Sequence, residues 1–141
     1  MRPPTEAELN EEVDDGYGLA YEGEPTFVIQ GFVDLLKAEL DALELTSEMT
    51  IDRWGRQEKF LKDVIRHCQD SINFEMEWMD EPDPVVIARD QQRLQEYREQ
   101  LKKETEEFEE GKKESEEAIA HKKRQIAVVA DVLRRSYTGH F

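Results

Sequence analysis

Trp78-Met79-Asp80-Glu81-Pro82-Asp83-Pro84-Val85-Val86 is the stretch on which the fold turns. Proline has no amide hydrogen and drives the residue before it out of the helical region, so a helix arriving from the left stops here. The next helix is expected from about residue 84. The segment predicts a tight reversal between two helices.

To its left, residues 51–80 read as a helix with two apolar rows. One row is Ile51, Trp54, Leu61, Ile65, Cys68, Ile72 and Met79; the other is Phe60, Val64, His67, Ser71, Phe74 and Trp78. A helix with two such rows is expected to touch two neighbours. Further left, Thr46, Ser47 and Thr50 suggest a loop. Before it, Ile29, Phe32, Leu36, Leu40 and Leu43 recur at helical spacing, with Phe27, Val33 and Leu35 widening the stripe, from about Thr26, a plausible N-cap, to Leu45.

To the right of the reversal, Pro84 to Tyr137 has no further proline and one glycine, Gly111. Val85, Val86, Ile87, then Leu94, Tyr97, Leu101 and Phe108 make a heptad-like row. Between Glu104 and Glu117, Phe108 is the only large apolar side chain, and eight glutamates face Lys112 and Lys113. Ile119, Ile126, Val128, Val129, Val132, Leu133 and Tyr137 then restore a dense apolar pattern.

An antiparallel pairing about Pro82 and Pro84, with matched positions summing to about 165, brings residue 111 opposite Trp54, near the start of the second helix. The row from Ile119 to Leu133 is then left without cover on that helix. Either the chain turns at Gly111 and folds a fourth helix back, or the helix continues and its end binds another chain. Glycine supports the turn, since it takes the left-handed position that ends helices. Continuation is supported by Glu109–Lys113 and Lys113–Glu117 spacings, with Gly111 costing only ~1 kcal/mol relative to alanine.

The expected fold class is all-α: an antiparallel helical bundle or coiled coil of three long helices at about 26–45, 51–80 and 84–110, the last either continuing or broken at Gly111 to give a fourth over 112–137. Residues 25–141 form the single helical domain. The preceding 1–24 carries eight acids against Arg2, with three glycines and three prolines between Pro3 and Pro25, and reads as an acidic irregular tail. Leu9, Val13, Tyr17 and Tyr21 are the residues through which that tail could dock, on a partner or on its own bundle.

Composition limits the function. The chain has 141 residues, a net charge of −15 and 38% charged residues. General binding to nucleic acid or to an anionic membrane draws on clustered lysine and arginine, so neither is expected. No apolar run approaches the ~18 residues of a membrane span. The amino terminus shows no signal-peptide core, and Cys68 has no cysteine partner; a cytoplasmic location is expected.

No nucleophile constellation, phosphate loop or zinc motif is present in the sequence. Asp63 with His67 and Glu117 with His121 share helix faces at a spacing of four, which is not the Glu-x-x-His spacing of carboxylate-bridged bundles. No metal, cofactor or catalytic residue is assigned. His67 reads as a half-buried, hydrogen-bonded histidine, Cys68 as a small core hydrophobe, and Trp54 and Trp78 as the core ends of the second helix. His121, Lys122, Lys123, Arg124, Arg134 and Arg135 give the carboxyl-terminal end a basic character, either as a solvated face or as a contact for an acidic partner.

The leading functional expectation is a non-enzymatic interaction protein, a small assembly subunit or adaptor acting through Ile119, Ile126, Val129, Leu133 and Tyr137. Its partners are proteins, a second copy of the chain among them. The alternative, motivated by the charge and the glutamate run, is an acidic inhibitor or nucleic-acid mimic of antitoxin or phage type that occupies a basic groove.

Overall fold

A computed structural model of the chain describes residues 21–138. It contains two long helices packed together, α1 (Thr26–Trp78) and α2 (Pro84–Thr138). Of the expected tail, 1–20 lies outside the described residues.

The reversal falls where the prolines put it. Helix α1 ends at Trp78, two residues before the expected end, and α2 opens at Pro84. Asp83 caps α2: its carboxylate Oδ1 accepts the amide of Val85 at 2.9 Å and its carbonyl accepts the amide of Ile87 at 3.1 Å. The Asp83 amide is held in turn by Glu75 Oε1 at 2.9 Å.

One expected boundary is absent, and of the two alternatives at Gly111 the chain takes continuation. The chain does not loop at 46–50, and α1 runs through that segment without a break. The segment contains neither glycine nor proline, and the hydroxyl of Thr46 finds an acceptor within the helix, donating to the Ala42 carbonyl at 2.8 Å. Serine and threonine cost a few tenths of a kcal/mol each in a helix interior. A break would instead orphan four carbonyls and four amides. The same comparison settles Gly111, through which α2 continues. Three separate helices therefore become two.

At the amino end of α1, Pro25 rather than Thr26 closes the first turn: its carbonyl accepts the amides of Val28 at 2.9 Å and Ile29 at 3.2 Å. Thr26 is already helical, and its hydroxyl is 2.6 Å from that of Ser136. Gly23, at φ 83°, supplies the left-handed residue of the turn leading in.

The described residues divide into two compact units. The first joins 21–48 to 112–138. Its core is Ile29, Val33 and Leu36 of α1 against Val129 and Val132 of α2, with Tyr21, Ile126 and Leu133 packed around them. Each fully buried aliphatic side chain contributes roughly 1.5–3 kcal/mol. Antiparallel pairing in this unit is fixed by Thr26 with Ser136 and by Lys122 with Glu39.

The second unit is Met49–Gly111. Here Trp54 stacks on Phe108 with ring centroids 5.4 Å apart and planes 17° from parallel. Gln57 Nε2 donates to Glu104 Oε2 at 3.3 Å, and Ser71 Oγ donates to Asp90 Oδ2 at 2.6 Å. Leu61 and Cys68 are buried on the same stripe of α1. Trp54 thus meets residue 108 and not the expected 111, one turn nearer the reversal, so the apolar face stays the same.

Candidate interaction surface

The residues expected to bind a partner are largely turned onto the chain's own core. Val129 is fully buried, Ile126 and Leu133 pack against the cluster that contains it, and Ile119 is half-buried. The reason is the continuity of α1. The row needed cover only if the helix ahead of residue 50 were a separate element, whereas residues 26–36 of the uninterrupted helix supply Ile29, Val33 and Leu36 against it. Tyr137 remains exposed, at 69%.

Of the tail residues, Leu9, Val13 and Tyr17 lie outside the described residues. Tyr21 is partly buried on the first unit's core, its ring edge-on to Phe32 at a centroid distance of 4.8 Å. Beside it, Glu22 Oε1 accepts from Arg135 Nη1 at 2.7 Å. The end of the tail region therefore docks on helices of its own chain, through one aromatic ring and one ion pair.

The carboxyl-terminal basic residues are likewise engaged within the first unit. Lys122 Nζ reaches Glu39 Oε2 at 2.6 Å, with the lysine side chain only 19% exposed. Lys123 lies 4.0 Å from Glu44. Arg134 donates to Asp131 at 2.6 Å, and Arg135 Nε lies 3.3 Å from the same carboxylate. The Arg134 hydrogen bond holds the Asp131 carboxyl below its ordinary value; desolvation opposes it, and the charges of Arg134 and Arg135 add to the lowering.

The second unit leaves a different surface open. Helix α1 carries two apolar rows there, and α2 covers only one. Phe60 and Phe74 are each 56% exposed and Trp78 is 76% exposed. His67, expected to be half-buried in that row, is exposed, while Val64 and Ser71 are half-buried at its border with the covered seam. Residues 60, 67, 74 and 78 are spaced by seven, seven and four, which keeps them on one side of a helix. Trp54 occupies the expected core position, whereas Trp78 does not.

The sequence therefore contained both rows, and the inference from two rows to two covering helices within the chain is where it departs from the structure. Asp90 was not singled out at all. It is buried, 5% exposed, and its partner Ser71 stood in the sequence as a polar residue in an apolar row, the one signal that could have pointed to it.

The Asp63–His67 and Glu117–His121 pairs do not extend into a larger donor set. Asp63 is engaged by Arg66 at 2.9 Å, and among the described residues no group of three or more His, Cys, Asp or Glu side chains converges. Among the described residues no helix is long and apolar enough to cross a membrane. Comparison with protein-family models, with curated proteins and with solved structures finds no match to this chain.

Proposed function

We propose that this chain is a non-enzymatic helical interaction protein, a small assembly subunit or adaptor, and that it meets its partner through the exposed row of α1 in the second unit. The observation that carries the reading is the stripe of Phe60, Phe74 and Trp78, three aromatic side chains more than half exposed on one face of one helix. Scattered exposed apolar residues need no explanation, but an aligned aromatic stripe is the usual mark of a partner surface. The carboxyl-terminal row, from which the interaction was first expected, is mostly covered within the first unit, with Tyr137 exposed at its end.

Site-specific photo-cross-linking tests this. A photoreactive residue in place of Phe74 is expected to give protein adducts in cells well above those from the same residue in place of Lys102, an exposed position off the stripe. Equal yields at the two positions would sink the proposal.

A second reading is supported by the net charge of −15 and by Glu106, Glu107, Glu109 and Glu110, all exposed on α2. An acidic inhibitor or nucleic-acid mimic would hold a basic groove through such carboxylates. The two readings separate on salt. A captured partner retained in molar salt favours the aromatic stripe, whereas one released between low and moderate salt favours the acidic face.

A further inference from the structure

Charge along the second unit's part of α1 is divided about its middle. Residues 51–66 hold Arg53, Arg56, Lys59, Lys62 and Arg66 against Asp52, Glu58 and Asp63. Residues 67–78, up to the end of α1, hold Asp70, Glu75 and Glu77 and no lysine or arginine, and Asp80, Glu81 and Asp83 follow in the reversal. Across this divide the exposed aromatic row is nearly symmetric. Phe60 lies seven residues before His67 and Phe74 seven after; Arg56 lies eleven before and Trp78 eleven after.

A helix with these properties complements a reversed copy of itself. We infer that the partner for this face is a second copy of the chain, packed α1 against α1 in antiparallel sense about a two-fold axis beside His67. This rests on reading the exposed row of α1 as an interaction surface. A two-fold contact is self-complementary, so every pairing occurs twice. Phe60 stacks against the partner's Phe74, and Arg56 lies on the ring of the partner's Trp78, a cation–π arrangement.

On the flank, Lys59 faces the partner's Glu77 and Arg66 faces the partner's Asp70; all four are exposed in the single chain. Two like-charge approaches occur: Asp63 towards the partner's Asp70, with Arg66 beside it, already 2.9 Å from Asp63, and Arg66 towards the partner's Arg66 across the axis, where each guanidinium has Asp63 and the partner's Asp70 as neighbours. A parallel copy would instead set basic half on basic half and acidic on acidic. Six aromatic rings, each offering ~150–250 Å² and more than half exposed, would remove on the order of 700 Å². That is over half of the ~1,200 Å² at which specific interfaces begin.

The test is sedimentation equilibrium of the purified full chain across micromolar concentrations, with circular dichroism confirming that each variant stays helical. The wild type is expected to dimerise. Phe74→Asp and Lys59→Glu are each expected to weaken the dimer at least ~10-fold, a change of ~1.4 kcal/mol. Adding Glu77→Lys to Lys59→Glu is expected to restore it, because the charges are exchanged and not removed. In a Cys68→Ala background, His67→Cys is expected to form an interchain disulfide under mild oxidation, while Ser115→Cys does not.

A monomer throughout, a dimer indifferent to Phe74→Asp and Lys59→Glu, or equal disulfide yields at 67 and 115 would each overturn the inference. A monomer whose position 74 still cross-links to a different protein removes the self-association and leaves the interaction function standing. Loss of both removes both.

Discussion

Asp90 is a carboxylate taken almost wholly out of solvent in a seam otherwise lined by Leu61, Cys68 and half-buried Ile65 and Leu94. Such a group is tolerated only if it is hydrogen-bonded. Ser71 supplies the short bond at 2.6 Å, with Arg89 Nε no closer than 3.8 Å. Ser71→Ala is therefore expected to cost about 1.5–3 kcal/mol, the range for a hydrogen bond to a charged group. Asp90→Leu, which removes charge and need together, should be far milder, and urea denaturation of the two variants checks the order. Asp131 gives a smaller, pH-dependent effect. Its folded-state value lies below 3.8, so its contribution is fully present above that pH and is lost as acid carries the pH down through the lowered value. Because Asp131 is exposed, the contribution stays below about 1 kcal/mol. Asp131→Asn should flatten the acid limb of a stability–pH curve by that amount and leave neutral-pH stability only slightly lower.

At the scale of the element, helix continuity is the physical issue. Gly111 sits inside α2 with nothing within 4 Å of the position a Cβ would take. Gly111→Ala should accordingly stabilise the chain by about 0.5–1 kcal/mol, by removing backbone entropy from the unfolded state without adding a clash. Gly111→Pro should cost ~3 kcal/mol or more. Thermal denaturation followed by circular dichroism distinguishes the signs; destabilisation by alanine would mean that α2 does break at this residue. Amide exchange at 46–50 provides an independent check on α1, since a continuous helix protects those amides and a loop would not. The core face of the carboxyl-terminal element gives a further prediction. Val129→Asp should abolish folding of the first unit by burying an unpaired charge among Ile29, Val33 and Leu36, and not merely dissociate an oligomer. Loss of helical signal, in place of a helical monomer, is the expected outcome.

For the whole molecule, a net charge of −15 on 141 residues makes self-repulsion a standing cost. Adding salt from a few millimolar to physiological ionic strength should raise the midpoint of thermal unfolding, because screening relieves the repulsion among exposed glutamates more than it weakens the partly buried Lys122–Glu39 pair. The charge is also unevenly placed, with the lysines and arginines of the second unit's part of α1 lying ahead of His67 and only acidic charge after it. What was legible in the sequence was whatever depends on neighbours along the chain: the all-helical class, the reversal at Pro82 and Pro84, the antiparallel sense, the core positions of Trp54 and Cys68, and the two rows of α1. These follow from backbone sterics and from a 3.6-residue period, which a sequence carries in full. What only the tertiary structure decided was whether 46–50 and Gly111 interrupt their helices and which apolar row each helix covers. Weak local preferences of a few tenths of a kcal/mol oppose an unbroken hydrogen-bond ladder at those points. Burial of Val129 and Val132 against Ile29 and Val33, close to a hundred residues away in sequence, is available only once α1 is continuous. That packing closes the carboxyl-terminal row; within the second unit α2 covers one row of α1, and Phe60, Phe74 and Trp78 stay open to solvent.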